Sequence, residues 1–276
     1  MKYYYRQHQS GYQRVRAEGK KAWGEIHGNT ECFENFFSRA FLEEALSMLH
    51  FSSSTPMALE CGCGTGPGAC LLAERGFRVD AIDLIPIAIE LAGDIARERE
   101  LDINFEVMDV CAIPHEGVSY DLIVDSYCLQ GIVTDADRKK VFASVRARLK
   151  PDGYYVASTS MYTPERDHRD EHVTDVATGK TYTRYHHDGL LDRDTEVVYS
   201  PFSSFSDLED QPESYEDAIT VNDTWHHPIR RVRTPESLRA ELATEGFDML
   251  YQEGEEKENF ICVHEGADVT LGEESQ

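Results

Sequence analysis

Short apolar runs along the chain alternate with stretches of helical periodicity, and most of the runs close on an acid. Ala58 and Leu59 lead into Glu60, and glycines then recur at 62, 64 and 66 before Cys70 to Ala73 resume as a helix. Phe77 to Ile82 form a second run ending at Asp83, Ile103 to Met108 a third ending at Asp109, and Tyr120 to Ser126 a fourth that contains Asp125. Thr134, with Asp137 three residues on, reads as a capped helix start. Leu149 to Val156 reads as a helix stop followed by a fifth strand. Thr234 then supplies an N-cap, Pro235 a first helical position and Gly246 a stop, ahead of two closing strands over Met249 to Glu253 and Asn259 to His264. Strands that alternate with helices in this way predict an α/β fold built on a mostly parallel sheet.

The glycine loop carries the first chemical signal. Alternating glycines permit positive φ and bring backbone N–H groups close to a ligand, and the following helix points its N-terminus at the loop. Asp83 comes 19 residues after Gly64, a distance that suits an acid accepting hydrogen bonds from both hydroxyls of a ribose. Asp109 arrives a further 26 residues on, at the same edge of the sheet.

A dehydrogenase fingerprint would read Gly-x-Gly-x-x-Gly, whereas this loop reads Glu60-x-Gly62-x-Gly64-x-Gly66. That phrase, the acids at 83 and 109, the 149–156 segment and the terminal hairpin resemble the class I methyltransferases that use S-adenosylmethionine. The resemblance covers roughly residues 57–161 and 232–265. It implies a Rossmann-like seven-stranded sheet with helices on both faces. It also implies that Glu60, Gly62, Gly64 and Gly66 cradle the methionine end of S-adenosylmethionine. Asp83 with Leu84 would take the ribose, Asp109 with Val110 the adenine, and the turn at Asp125 the amino group. Two other readings stay open: a nicotinamide-dependent oxidoreductase, and a protein of the same fold that binds the cofactor without turnover.

The remaining segments are more individual. Residues 1–56 form an N-terminal cap, in which Glu34 to Leu49 spaces Phe37, Phe41, Ala45 and Leu49 as an amphipathic helix. Upstream, aromatic residues mix with arginines and lysines, and Tyr12 and Trp23 are the candidates to cover the cofactor. Residues 162–231 are an insertion after the fifth strand, the expected lid over the acceptor, and hold six of the eleven histidines. Thr181 to His187 and Glu196 to Tyr199 read as strands joined by Asp188 and Gly189, and Ser203 to Ser214 as a polar loop. Within the lid, His187, His226, Arg230 and Arg231 are the candidates for acceptor binding. His227, together with Tyr127 after the fourth strand, is the candidate for catalysis. Residues 232–265 complete the core and 266–276 form an acidic tail. The acceptor expected is a small polar metabolite with an N, S or O nucleophile, amino-acid-like, methionine among those to test.

Charge narrows the partners. With 51 acids against 27 bases the formal balance is −24, so a nucleic-acid backbone is repelled from most of the surface. No apolar run reaches the ~18 residues of a membrane span, and a soluble cytoplasmic chain is expected. Cys61 and Cys63 lack a second pair at zinc spacing, and His168 to His172, a His-x-x-Glu-His string, has no apolar face for the helix a metal site needs; that stretch is expected to be a solvated loop, and no metal is expected.

Overall fold

The structure, a computed structural model, describes residues 3–27, 31–186, 188–202, 217–254 and 257–272. Helix α1 (Tyr3–Ala17), a 3-10 turn (Trp23–His27) and α2 (Arg39–Met48) precede the first strand. Then come β1 (Met57–Cys61), α3 (Pro67–Glu74), β2 (Arg78–Asp83), α4 (Pro86–Glu98), β3 (Ile103–Val107), β4 (Tyr120–Ser126), α5 (Asp135–Arg148) and β5 (Leu149–Ser160). The insertion supplies β6 (Asp167–Thr174), β7 (Thr181–Tyr185), β8 (Gly189–Asp192), β9 (Val197–Pro201), β10 (Ile219–Val221) and β11 (Thr224–Arg231). Helix α6 (Pro235–Thr244), β12 (Phe247–Glu253) and β13 (Lys257–His264) close the chain.

Seven strands make the core sheet in the order β12-β13-β5-β4-β1-β2-β3. The central pairs are parallel, and β13 runs antiparallel to both β5 and β12. Central parallel strands are covered on both faces, which is why β4 reads as a nearly continuous apolar run with only Ser126 half-buried. On one face α5 and α6 bring Val141, Phe142, Val145, Leu238 and Leu242 against Ile123, Tyr155 and Phe260. On the other, α2 and α3 pack Phe41, Leu42, Ala45, Leu71 and Leu72 over Leu122, Val124 and Ile261. The caps are those the sequence spells. The Thr134 hydroxyl accepts from Asp137 N at 3.1 Å, and Thr234 and Ser237 form a reciprocal capping box ahead of Pro235.

Two expectations are corrected. Helix α2 starts at Arg39 and not near Glu34, because Cys32 and Asn35 bond each other's backbone and withdraw the groups a longer helix needs. Phe37 therefore lies outside the helix, 49% exposed. The His168 to His172 stretch is part of strand β6 and not a loop: its register against β7 shifts between His168 and His172, and this bulge hides the two-residue alternation.

The insertion is a second, antiparallel sheet in the order β10-β11-β9-β8-β7-β6. Strand β8 comes between the two strands read from the sequence, and Gly189 is needed at its start, where an added methyl would lie 2.4 Å from the Tyr185 carbonyl oxygen. The chain passes between this sheet and the core at a neck where Met161 bridges Arg233, and Tyr162 N donates to Arg233 O at 2.9 Å. His187 and the polar stretch 203–214 lie outside the described residues, as does the end of the acidic tail.

Candidate functional site

The expected cofactor residues meet at the carboxyl edge of β1, β2 and β4. The loop leaves β1 through Gly62 (φ 65), Gly64 (φ 57) and Gly66 (φ 81), and Gly66 is the left-handed N-cap of α3. Side chains are excluded by contact as well as by φ. A methyl at Gly62 would lie 2.6 Å from Cys128 Sγ, and one at Gly64 would lie 2.4 Å from the Tyr12 hydroxyl. Gly68 is required for a different reason, since a methyl there would lie 2.2 Å from Glu60 Oε1.

Three buried carboxyls surround this loop. Asp83 accepts Gly64 N at Oδ2 and Ile85 N at Oδ1, both at 2.9 Å, which ties the loop to the start of α4. Asp125 accepts Cys128 N (2.8 Å) and Leu129 N (3.1 Å) at Oδ1, while no hydrogen-bond donor reaches its buried Oδ2. Glu60 takes the Ala69 backbone N–H, and its buried Oε2 also lacks a donor. Burial raises all three: Glu60 to about 8, Asp125 to about 7 and Asp83 to about 6, with the backbone donors pulling each partly back. Leu84 is half-buried beside Ile85.

Asp109 caps the short turn holding Val110, its Oδ1 accepting Cys111 N at 2.8 Å. The Tyr4 hydroxyl reaches the same carboxyl, 3.3 and 3.2 Å from its two oxygens, so α1 lies across this end of the crevice. Further along α1, Tyr12 is buried with its phenol raised by desolvation and by Asp83, and its ring lies 5.0 Å from that of Trp23. Tyr12 and Trp23 thus form one aromatic unit on the glycine loop.

Tyr127 follows β4 in a left-handed conformation (φ 65) that a bulky residue rarely adopts. Its N–H donates to Ser158 O at 2.8 Å, and its ring stands 6.2 Å from that of Phe37. Desolvation raises its phenol, so a neutral hydroxyl faces this region. A nearly buried arginine fixes the next turn. Arg138 donates to Leu129 O (3.0 Å) and Ile132 O (3.1 Å) and pairs through two nitrogens with Glu241 of α6 at 2.6 and 2.7 Å.

The lid candidates divide between two faces of β11. His226, Pro228 and Arg231 stand opposite Pro201, Tyr199 and Val197, while His227 and Arg230 stand opposite Ser200 and Val198. Directly opposed residues share a face, so the bulge at Ile229 places His227 with Arg230 and His226 with Arg231. Both histidines are buried, although simple alternation would bury one. His226 Nδ1 donates to Thr224 O at 2.9 Å. The His227 ring lies 4.9 Å from Phe202 and is lowered to about 4 by burial and by His226. Arg231 donates to Val133 O (3.2 Å) and pairs with Asp135 (2.5 Å), tying the lid to the start of α5. Sequence reasoning missed Tyr4, Gly68, Arg138 and Glu241. Of these, only Gly68 had a local signal, as one more glycine of the loop.

Comparison with known proteins points one way. Residues 58–153 match the family model described as a methyltransferase domain. The ubiquinone biosynthesis O-methyltransferase of Rickettsia typhi is 30% identical over 112 residues, a match that takes in 40% of this chain and 44% of the relative. The chain therefore spans less than half the length of that curated relative. Among solved structures, an S-adenosylmethionine-dependent methyltransferase from Clostridium acetobutylicum has a TM-score of 0.59 at 15% identity, covering 92% of this chain and 99% of its own. The CcbJ methyltransferase from Streptomyces caelestis has a TM-score of 0.57 at 11% identity, covering 82% of this chain and 88% of its own. At such identities the structural likeness speaks for the fold, and the domain match speaks for residues 58–153. The glycine loop, the strand order and both comparisons agree: residues 58–153 are a methyltransferase domain, in a chain with the fold of the solved S-adenosylmethionine-dependent methyltransferases.

Proposed function

We propose that this chain binds S-adenosylmethionine over the Gly62 to Gly66 loop and transfers its methyl group to a nitrogen, sulfur or oxygen of a small polar metabolite. One observation carries the reading. Glu60, Asp83 and Asp125 converge as buried carboxyls on the glycine loop, and two of them hold an oxygen with no donor. A ligand carrying an ammonium and a sulfonium suits that field, and each orphaned oxygen gains a partner or a compensating charge. The nicotinamide alternative fares worse on the same geometry, because a pyrophosphate would set two negative charges among three carboxyls.

When bound, S-adenosylmethionine supplies an electrophilic methyl on sulfur. The chain's own residues do the rest. Glu60 and Asp125 hold the cationic amino-acid end, Asp83 holds the ribose, and Asp109 with Val110 holds the adenine beneath Tyr4. Tyr12 and Trp23 exclude water, and Tyr127 borders the acceptor with its neutral hydroxyl. The gain is alignment and desolvation of the nucleophile. An amino-acid-like acceptor is favoured because the lid carries arginines in a strongly acidic chain, and methionine is the first compound to try. A panel of amino acids, thiols, amines and phenols incubated with methyl-labelled cofactor tests the reading. Label transferred to one of them supports it, while cofactor binding without transfer to any would favour the non-catalytic alternative.

A further inference from the structure

Arginines on this chain are mostly matched with acids. In and near the lid Arg231 pairs with Asp135, Arg233 with Glu196 and Glu241, and Arg193 with Asp167. Arg230 breaks this pattern. It is half-buried, its Nε is enclosed with no hydrogen-bond partner, and no carboxylate pairs with it among the described residues. Its charged neighbour is another cation, Arg166, which together with burial lowers the guanidinium. Leaving the enclosed Nε of a half-buried guanidinium without an acceptor is unfavourable. A bound anion removes the cost.

Its place in the fold is close to the neck of the lid. The β11 bulge puts Arg230 on the face that carries His227, opposite Val198. Val198 packs with Tyr185, Tyr162 and Ile229. The Tyr185 hydroxyl in turn accepts Thr163 N at 3.0 Å, just beyond the carboxyl end of β5. Arg230 thus stands near the side chains just beyond the carboxyl end of β5, where the core sheet gives way to the lid. Arg231, the other candidate, is occupied by Asp135 and Val133 on the opposite face.

We infer that Arg230 is the lid's anion-recognition residue, taking a carboxylate or phosphate group of the methyl acceptor through its paired N–H donors, with His227 on the same face of β11. This deepens the methyltransferase reading and rests on it. The test uses the full chain saturated with S-adenosylhomocysteine, whose binding is measured first by calorimetry. The probes are L-methionine against L-methioninamide, 4-hydroxybenzoate against 4-hydroxybenzamide, and inorganic phosphate. At least one acid is expected to bind about tenfold or more tightly than its amide, the scale of a lost charge-assisted pair. Arg230→Gln should erase that difference, Arg230→Lys should restore part of it, and S-adenosylhomocysteine affinity should not change. Preference for phosphate over both acids would assign a phosphorylated acceptor to the same residue. Equal binding of acids and amides with no phosphate binding, no probe binding at all, or an acid preference that survives in Arg230→Gln, would overturn the inference. Failure to bind S-adenosylhomocysteine would instead count against the methyltransferase reading.

Discussion

Asp83 serves two purposes, since it organises the glycine loop through Gly64 and Ile85 and is also the residue expected to receive the ribose. Asp83→Ala is therefore expected to weaken S-adenosylhomocysteine binding by about 1–3 kcal/mol, read by calorimetry on a variant whose circular dichroism is unchanged. Unaltered affinity would remove Asp83 from the site. The three raised carboxyls also impose a pH dependence. A carboxyl whose folded pKa lies above its unfolded value contributes stability fully present below the unfolded pKa and lost as pH rises through the folded one. For Asp83, Asp125 and Glu60 that loss runs through about 6, about 7 and about 8. A cationic ligand favours the ionised forms, so its binding releases protons and its affinity rises over the same window. The increase in melting temperature on adding S-adenosylmethionine should thus grow from about pH 5.5 to about pH 8.5. A constant increase would show that these groups do not face the ligand. Gly68→Ala is expected to damage the same site from behind, by driving a methyl into Glu60 Oε1.

At the scale of elements, the turn after β4 is held by the Arg138 and Glu241 pair, both groups being largely buried. Glu241→Ala would strand the Arg138 guanidinium and is expected to cost about 3–5 kcal/mol in a urea or thermal unfolding experiment. A loss below about 1 kcal/mol would mean that water reaches Arg138 and that the pair does not fix the turn. The two residues are 103 apart in the chain, and Tyr4 reaches Asp109 across 105. Such pairs leave no trace in local pattern, which is why they were not legible. The core strands were legible because central parallel strands bury both faces and so read as apolar runs, and because glycine and acid positions report backbone geometry directly. The lid was readable in outline only. Its strands are short and polar, and the bulges in β6 and β11 break the two-residue period that identifies a strand, so His168 to His172 read as a loop and the two histidines of β11 could not be assigned to faces.

For the whole molecule, the sheltered loop fits a small, cationic cofactor, and a net charge of −24 opposes the approach of a nucleic-acid backbone. Among the described residues no group of three His, Cys, Asp or Glu is placed to hold a metal ion, and no helix is long and apolar enough to cross a membrane. Methyl transfer is expected to continue in the presence of EDTA; loss of turnover that zinc or magnesium restores would make ligands of the lid histidines. The central claim is that the crevice bounded by Glu60, Asp83, Asp109 and Asp125 is a site for S-adenosylmethionine. Calorimetric titration of the full chain near pH 8 with S-adenosylmethionine, and in parallel with NAD, addresses it directly. Saturable binding of S-adenosylmethionine alone, lost in Asp83→Ala, is the expected result; binding of NAD in its place, or of neither, would contradict the account.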